Sequence, residues 1–401
     1  MKYPLTLPEF DTWTSFEEAS AEEKKRAVLR ALNASKHERT ILSPAESLNA
    51  LTIGGQHHDS VVTRLGGHGL VDPFDDNTLP NISSGLGLGH RRTIKPEIYL
   101  PGGREYVRFR GNRDGLEIES SSTQRLYGLA AAAPDTSQGR LNYSALINGT
   151  SSATALATHA AHQVFAALMD REGGSLLADL DPQYYAIVVK CLLVHSARWN
   201  GNNELLMEIC GPESKRRFVE RAENSSRFIG FGVPNIAQVI ECAENRATLV
   251  GHGALLPNNA HRYRIPLPGC LEHVTDPRSL TVTVAWFSSV RPGHQNYRCV
   301  RMEAAPLHPL QGLGVERRSS QPADASVKRG GIFHEHFEGE AAVPYIDDGH
   351  LALQVWCKED AGLPQPTPVR YAVAVTIHAG TALPVYDQIQ ERLRVTSRVA
   401  N

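Results

Sequence analysis

A serine in a turn of small residues is the side chain best placed to carry out a reaction. Ser151 lies in the run Asn148-Gly149-Thr150-Ser151-Ser152-Ala153-Thr154-Ala155. Apolar residues recur at 157, 160, 161, 164, 165 and 168, a helical period that predicts a largely buried helix from Ser151 to about Asp170. The first N–H groups of a helix lack intrahelical partners, and the helix dipole favours negative charge there. The position therefore suits acyl transfer, in which an oxyanion forms beside the nucleophile.

Helix capping is the structural alternative for the same serine. Ser, Thr and Asn are preferred at helix N-caps in proteins of every function. A motif as short as Gly-Thr-Ser-x-Ala also recurs by chance. The residues upstream of this motif distinguish a catalytic serine from a helix cap.

Two upstream segments, together with the serine motif, resemble the subtilisin-like serine proteases. That family has its nucleophile in Gly-Thr-Ser-x-Ala at the start of a helix, a motif matched by Gly149, Thr150, Ser151 and Ala153. Residues 43–55 (SPAESLNALTIGG) are similar to the family's Pro-Ala…Asn-x-x-Thr-Val-Gly strand. Residues 82–85 (ISSG) and 94–103 (IKPEIYLPGG) are similar to its Ser-Ser-x-Gly…Lys-Pro-Asp/Glu…Pro-Gly region. The three matches occur in the family's order.

The resemblance implies a serine endopeptidase. Ser151 would attack a peptide carbonyl, and its own backbone N–H would form part of the oxyanion hole. A His would act as base, oriented by an Asp. The family places this Asp, this His and an oxyanion Asn upstream of the Pro-Ala segment, in Asp-Ser/Thr-Gly, His-Gly-Thr and Ala-Gly-Asn motifs. This sequence contains none of the three motifs.

We therefore expect the chain to be the C-terminal part of a subtilase and to be inactive alone. The expected partners are a polypeptide substrate or protein partner and a separate N-terminal subtilase segment that supplies the Asp and the His. Two smaller departures, Ser152 for the usual Met and Ala155 for the usual Pro, indicate a subfamily rather than a different chemistry. The alternative function is a non-catalytic, subtilase-like module that binds proteins.

The composition argues against several other classes. The chain is 41% hydrophobic and 21% charged, which is ordinary for a soluble globular protein, and its net charge of −2 gives no general attraction to nucleic acid or membranes. No apolar run is long enough to span a membrane, and residues 1–8 lack the apolar core of a signal peptide. Six cysteines without a Cys-x-x-Cys pair argue against a zinc site or a disulfide framework. We expect no cofactor, no metal and a cytoplasmic location.

Helices and strands must hold the serine in place. Residues 14–33 are predicted to be helical, because Thr14-x-x-Glu17 and Ser20-x-x-Glu23 have capping-box form. The alternating or apolar segments 48–54 and 94–100 are predicted to be strands. Residues 64–93 and 130–139 are rich in small or polar residues and are predicted to be loops. Apolar periodicity predicts further helices over 182–199 and 235–243.

From Ala247 onward the pattern changes to short strands separated by turns. Strands are predicted at 249–256, 261–267, 280–287, 297–303, 331–337, 351–357 and 370–377, with a polar linker at 319–331 and a terminal helix at 388–395. Such spacing is typical of a β-sandwich. The predicted fold class is α/β, with a partial subtilisin-like doubly wound sheet over residues 1–245 and an all-β sandwich domain over residues 246–401.

Four groups of histidines are interpreted as structural. The adjacent residues His57-His58-Asp59 do not have triad geometry and are predicted to lie in a polar loop. His195 falls in a helical apolar stripe, which indicates a core histidine. His334-Glu335-His336 lacks a third metal ligand and is predicted to lie on a solvated strand face. His159 and His162 are carried away from Ser151 by the helix.

Overall fold

The structure, a computed structural model, describes residues 4–59, 69–74, 79–121, 127–135, 137–170, 180–199, 201–211, 218–241, 243–307, 312–345 and 347–399. Its α-helices are Trp13–Glu18 (α1), Ala21–Ala34 (α2), Thr150–Met169 (α3), Tyr185–His195 (α4), Asn202–Ile209 (α5), Phe218–Ile229 (α6), Ile236–Ile240 (α7), Asp324–Val327 and Val385–Val399. Single 3₁₀ turns cover His90–Arg92, Pro182–Tyr184, Gly269–Leu271 and Asp347–Gly349.

Sixteen strands are described, numbered in chain order. They are Leu5–Leu7 (β1), Ile53–Gln56 (β2), Leu70–Val71 (β3), Ile98–Pro101 (β4), Val107–Asn112 (β5), Leu116–Ser120 (β6), Leu129–Asp135 (β7), Arg140–Ile147 (β8), Arg246–Leu255 (β9), Ala260–Pro266 (β10), Arg278–Trp286 (β11), Val300–Pro306 (β12), Glu316–Arg317 (β13), Ile332–Gly339 (β14), His350–Glu359 (β15) and Val369–Ala379 (β16).

Backbone contacts divide the chain into two compact units. The first comprises residues 1–90, 94–159 and 198–233, and the second comprises residues 91–93, 160–197 and 234–401. The second unit thus takes in helical segments that precede residue 246. The division into domains at 245/246 remains a prediction from the sequence.

The first unit combines helices with three small sheets. β1, β6, β5 and β3 form an antiparallel sheet in that order, and β7 pairs with β8 in an antiparallel hairpin. β2 and β4 run parallel, with Ile53 opposite Ile98. This is the one parallel strand pair among the described strands. The predicted α/β fold class is confirmed, and the predicted loop at 130–139 is wrong for residues 130–135, which lie in β7.

Two capped helices replace the single helix predicted over residues 14–33. Ser20 caps α2 and forms the predicted capping box with Glu23. α1 instead begins after Thr12, which forms its capping box with Ser15 rather than through the predicted Thr14 and Glu17. The chain is extended at Ala19, so the two helices are separate.

A buried ion pair lies at the start of the two strands that were predicted before the serine. Lys95 Nζ lies 2.5 Å from Glu97 Oε1 and also donates to the Ala50 carbonyl. Glu97 Oε2 accepts the Thr52 N–H at 2.7 Å. The Thr52 carbonyl accepts the Glu97 N–H at 3.0 Å, and the pairing of β2 with β4 begins at the next residue, Ile53. The Lys-Pro-Glu match therefore has a structural role, because Lys95 and Glu97 bind the backbone of the segment that precedes β2.

The second unit contains two antiparallel sheets. One has the strand order β13-β14-β11-β16-β9, and the other has the order β10-β15-β12. β12 contacts β11 and β14 of the larger sheet, and α4 packs on β11 and β16. Residues beyond 245 are therefore β-rich, as the sequence predicts. Their assignment to a separate sandwich domain remains a prediction.

The strand that carries His334-Glu335-His336 is buried, so the predicted solvated face is wrong. The three side chains are at most 7% exposed, because β14 is an interior strand of the larger sheet and pairs with β11. His334 Nδ1 and His195 Nδ1 lie 2.8 Å and 2.7 Å from the Thr283 hydroxyl oxygen. Glu335 pairs with Arg317 at 2.7 Å. His195 is a buried core histidine, as predicted.

One arrangement of donors and acceptors satisfies the hydrogen bonds of these histidines and threonines when both imidazole rings are neutral. His334 Nε2 faces the Ala197 carbonyl at 3.2 Å and must donate to it, so Nδ1 accepts the Thr283 hydroxyl proton. The Thr283 oxygen then accepts from His195 Nδ1–H. His195 Nε2 accepts from the Thr376 hydroxyl at 2.7 Å. A chain of donors therefore crosses the buried sheet, and each member fixes the tautomer of the next.

The five cysteines that the structure describes are free thiols. Burial raises the pKa of the Cys191 and Cys210 thiols to about 12 and that of Cys357 to about 11, so these thiols stay protonated at neutral pH. Cys242 lies outside the described residues. No helix in the described part of the chain is both long and apolar enough to cross a membrane.

Replacing Thr283 by Val should destabilise the protein by about 2–4 kcal/mol. Two buried imidazole nitrogens lose their hydroxyl partner, and each such loss costs about 1–3 kcal/mol. Urea denaturation monitored by fluorescence measures the change in unfolding free energy. Thr248→Val is the matched control, because Thr248 ends the row in an exposed position and should cost less than about 1 kcal/mol. Equal effects of the two substitutions would contradict the assigned network.

Replacing Lys95 by Met should destabilise the protein by about 3–5 kcal/mol, since it leaves the buried Glu97 carboxylate without its cation. In the double variant with Glu97→Gln, the loss should be smaller than the sum of the two single losses. A double-mutant cycle of unfolding free energies measures this coupling. Lys328→Met removes a more exposed ion pair with Asp324 and serves as a control, with an expected change below about 1 kcal/mol. Additive losses at 95 and 97 would show that the buried pair is not coupled.

Candidate functional site

Ser151 is the second residue of α3 and follows a glycine turn. Gly149 has a φ of +121°, a conformation that L-side chains rarely adopt, and no atom lies within 4 Å of where its Cβ would be. Glycine is therefore needed there for its backbone conformation rather than for space. The Gly149 N–H donates to the Gly102 carbonyl at 2.7 Å. This bond fixes the point at which the helix begins.

The helix start agrees with the sequence prediction, but its predicted burial is wrong. Over residues 150–160 of α3 the buried positions are Ser152, Ala153, Ala157 and Ala160, on one face. The opposite face, which includes Ser151, is exposed. The apolar period follows the buried face as expected, whereas the residues between the apolar positions are not covered by other parts of the described chain.

The N-terminus of α3 offers the hydrogen-bond donors and the partial positive charge that stabilise an oxyanion. The first turn of a helix has N–H groups without intrahelical acceptors, and the helix dipole adds partial positive charge. The Ser152 N–H is directed to the Gly149 carbonyl at 3.2 Å, and the Ser151 N–H has no backbone acceptor among the described residues. The Ser151 N–H is thus the donor nearest to its own hydroxyl.

No base is placed at Ser151 by the residues that the structure describes. The Ser151 hydroxyl makes no hydrogen bond to any of them. His159 and His162 lie eight and eleven residues further along α3, which is about 12 Å and 16 Å along the helix axis. The helix thus carries both away from the Ser151 hydroxyl, as predicted, and both are exposed.

A buried histidine–carboxylate pair occurs at His57, where a polar loop was predicted. The predicted loop is confirmed, since residues 57–59 follow β2 outside any helix or strand, but its His57 and Asp59 side chains are buried, at 0% and 3% exposed. His57 Nε2 donates to Asp72 Oδ1 at 2.9 Å, and His57 Nδ1 accepts the Glu105 N–H at 3.2 Å. A general base needs a free ring nitrogen directed at the nucleophile. Because both nitrogens of His57 are occupied, the pair is structural.

Asp59 extends this cluster toward the serine turn. Its carboxylate accepts the backbone N–H groups of Arg104 and Gly128 at 3.2 Å and 3.1 Å and pairs with the Arg104 guanidinium at 3.3 Å. The Asn148 side-chain amide donates to the Arg104 carbonyl at 3.0 Å. Buried ionic groups therefore hold the segment 102–105, and this segment holds both Gly149 and Asn148. Sequence reasoning missed the cluster because Asp72 and Arg104 belong to no motif.

Asn81 is a buried side chain with no hydrogen-bond partner among the described residues. It is 1% exposed, and neither its Nδ2 nor its Oδ1 is bonded. A Cβ at Gly102 would lie 2.8 Å from Asn81 Nδ2 and 3.3 Å from the Gly149 carbonyl oxygen. Gly102 therefore allows Asn81 to approach the serine turn closely.

The described residues offer no group of three or more His, Cys, Asp or Glu side chains arranged to hold a metal ion. At Ser151 the groups that the structure describes are the hydroxyl, the backbone N–H and the positive end of the helix dipole.

Comparison with known proteins identifies a family for this chain. No curated protein matches the chain. A similar solved structure is the Cyanophage Pam1 capsid asymmetric unit, with 11% identity over 33% of this chain and 84% of that chain. Its TM-score of 0.20 is too low to support an argument about fold or function. The Subtilase family model matches residues 13–232, more than half of the chain, and this span includes Ser151 and both upstream segments. The chain belongs to the subtilase family.

Proposed function

We propose that this chain provides the nucleophile of a subtilisin-like serine endopeptidase. The observation that carries the proposal is the position of Ser151, exposed and second in α3, beside backbone N–H groups at the positive end of the helix dipole. Membership of the subtilase family supports serine-protease-like chemistry. Gly149, Thr150 and Ala153 complete the motif around the nucleophile.

In the proposed reaction, Ser151 Oγ attacks the carbonyl carbon of a peptide bond while a His takes the hydroxyl proton. The oxyanion formed on the carbonyl oxygen accepts the Ser151 N–H. The His then returns the proton to the departing amine, which leaves an acyl-serine for water to hydrolyse. The His and the Asp that orients it come from a polypeptide segment with the family's Asp, His and Asn motifs, which this sequence does not contain.

The isolated chain should therefore react poorly with a fluorophosphonate probe and hydrolyse peptides negligibly. A serine hydroxyl without an adjacent base is a weak nucleophile at neutral pH, and loss of triad members lowers turnover by about 10⁴- to 10⁶-fold. The measurement compares probe labelling of the chain with that of a fusion carrying the N-terminal half of a subtilase catalytic domain ahead of residue 1.

Ser151→Ala, made in both proteins, is the control. Rapid Ser151-dependent labelling of the isolated chain would show that a base is already present. Labelling of the fusion that is lost with Ser151→Ala would support the protease. A fusion that folds without Ser151-dependent labelling would favour the non-catalytic, protein-binding module.

Replacing His57 by Asn should lower stability without removing the nucleophile's reactivity. Both ring nitrogens of His57 are already hydrogen-bonded and the ring is fully buried, so it has no free nitrogen for the Ser151 proton. In the fusion, the labelling rate per folded molecule should stay within about threefold of wild type, whereas the melting temperature should fall. A loss of several orders of magnitude in labelling, with the fold intact, would identify His57 as the base.

A further inference from the structure

A row of hydrogen-bonded side chains runs from the surface of the larger sheet to the end of α4. From the surface inward, this threonine–histidine row comprises Thr248, Thr376, His195, Thr283 and His334. The bonded atoms of successive members lie 2.7–2.8 Å apart. Thr248 is exposed on β9, whereas the two rings are buried. The row therefore connects solvent with two buried imidazoles.

With both rings neutral, every proton of the row points inward. Thr248 donates to the Thr376 oxygen, and Thr376 donates to His195 Nε2. His195 Nδ1–H then donates to Thr283, which donates to His334 Nδ1. In this state His195 is the Nδ1–H tautomer and His334 is the Nε2–H tautomer.

One proton taken from water reverses every bond of the row and breaks none. A proton that enters at Thr248 moves the proton of each member to the next atom, and the last shift protonates His334 Nδ1. His334 then donates to Thr283 and, through Nε2, to the Ala197 carbonyl at 3.2 Å. Thr283 now donates to His195 Nδ1, and His195 Nε2–H donates outward. The charge thus arrives at His334, while His195 changes only its tautomer.

The end of α4 favours a charge at His334. Ala197 lies two residues beyond α4, and the last carbonyls of a helix carry partial negative charge that attracts cations. The charged ring would donate a charge-assisted hydrogen bond to the Ala197 carbonyl. A charged His195 would instead donate to the Thr283 and Thr376 hydroxyls, which are weaker acceptors.

A second proton has no equivalent arrangement. Two charged rings would both donate from Nδ1 to the Thr283 oxygen, and the Thr283 proton would then lack an acceptor among the described residues. The ring centroids of His195 and His334 are 6.5 Å apart, so two positive charges would also repel each other. The two rings are therefore expected to titrate as a coupled pair.

Other ionisable side chains approach the row from the elements that surround it. They are Lys190 and Cys191 from α4, His336 and Glu338 from β14, His378 from β16, Arg246 from β9 and Tyr184 from the turn before α4. α7, which also packs on α4, has none. His336 Nε2 lies 2.8 Å from Glu338 Oε1, so this neighbouring pair gives a control for the coupling at Thr283.

We propose that the threonine–histidine row is a buried binding site for a single proton. In mild acid the site charges His334 and keeps the end of α4 bound to β14 through the Ala197 carbonyl. In stronger acid the second ring must also be charged, and the packing of α4 on the sheet weakens. The row is thus an acid-sensitive switch within the second unit, independent of the chemistry at Ser151.

Nuclear magnetic resonance of the full chain, labelled with ¹⁵N in histidine, tests the proposal. At about pH 8, above the range in which histidines are charged, His195 should be the Nδ1–H tautomer and His334 the Nε2–H tautomer. As the pH falls, His334 should become charged while His195 changes to the Nε2–H tautomer, with the same midpoint. His195→Gln and His334→Gln assign the signals. Exposed His159 is the internal control and should gain its proton without changing the tautomer of another histidine.

Substitutions at the shared hydroxyl separate coupling from coincidence. Thr283→Val should abolish the tautomer change of His195, whereas Thr283→Ser keeps a hydroxyl and should retain it. His336→Gln is the matched control on the same sheet face and should also retain it. A charge at His195, charging of both rings in one step, or an unchanged His195 tautomer would overturn the proposal. The wild-type spectra decide this even where Thr283→Val does not fold.

The pH dependence of urea denaturation counts the excluded proton. In the unfolded chain both histidines are charged below about pH 6.5, whereas the folded row holds one proton. Because the unfolded state binds more protons, acid favours it, and the unfolded-to-folded ratio should rise by about a further tenfold per pH unit in wild type relative to His195→Gln. Equal slopes for the two proteins would show that the folded row binds both protons and would refute the single-proton site.

Discussion

The hydrogen bond from the Gly149 N–H to the Gly102 carbonyl is the contact on which the site depends. It joins the turn before Ser151 to the segment after β4, and that segment is held in turn by Asp59, His57 and Asp72. A nucleophile must be placed within fractions of an ångström to react. Here the precision comes from backbone hydrogen bonds that are anchored by buried charge. Glycine at 102 leaves room for the close approach, and glycine at 149 provides the positive φ of the turn.

Three sets of buried polar groups, spread over both units, are structural. His57 donates to Asp72, His195 and His334 share the Thr283 hydroxyl, and Lys95 pairs with Glu97. Each is fully engaged, as burial requires, since an unpaired polar group in a protein interior costs several kcal/mol. Ser151 differs from all of them in being exposed and without a partner among the described residues. This difference from the buried polar groups identifies Ser151 as the candidate reactive residue more clearly than the number of histidines in the chain does.

The exposure of Ser151 bears directly on the proposed reaction. Acyl transfer needs a base and a site from which water is largely excluded, and an exposed hydroxyl in water has neither. Among the described residues Ser151 is exposed and has no base beside it. In the proposed reaction, the polypeptide segment that brings the His and the Asp provides the base and covers the hydroxyl in the same step.

Five features were predicted correctly from the sequence. They are the start of the serine helix, the apolar face of that helix, the Ser20 cap, the β-rich character beyond residue 245 and the family. These features depend on local spacing, since helix periods, caps and glycine turns are set by neighbours within a few residues. Three features became apparent only from the tertiary structure. His57 is buried against Asp72, Lys95 pairs with Glu97 beside β2 and β4, and His334 lies inside a sheet. The exposure of one face of α3 is a fourth such feature. Each of these outcomes depends on residues far apart in the chain meeting in space, and the residue types themselves fit a solvated loop or a strand face equally well.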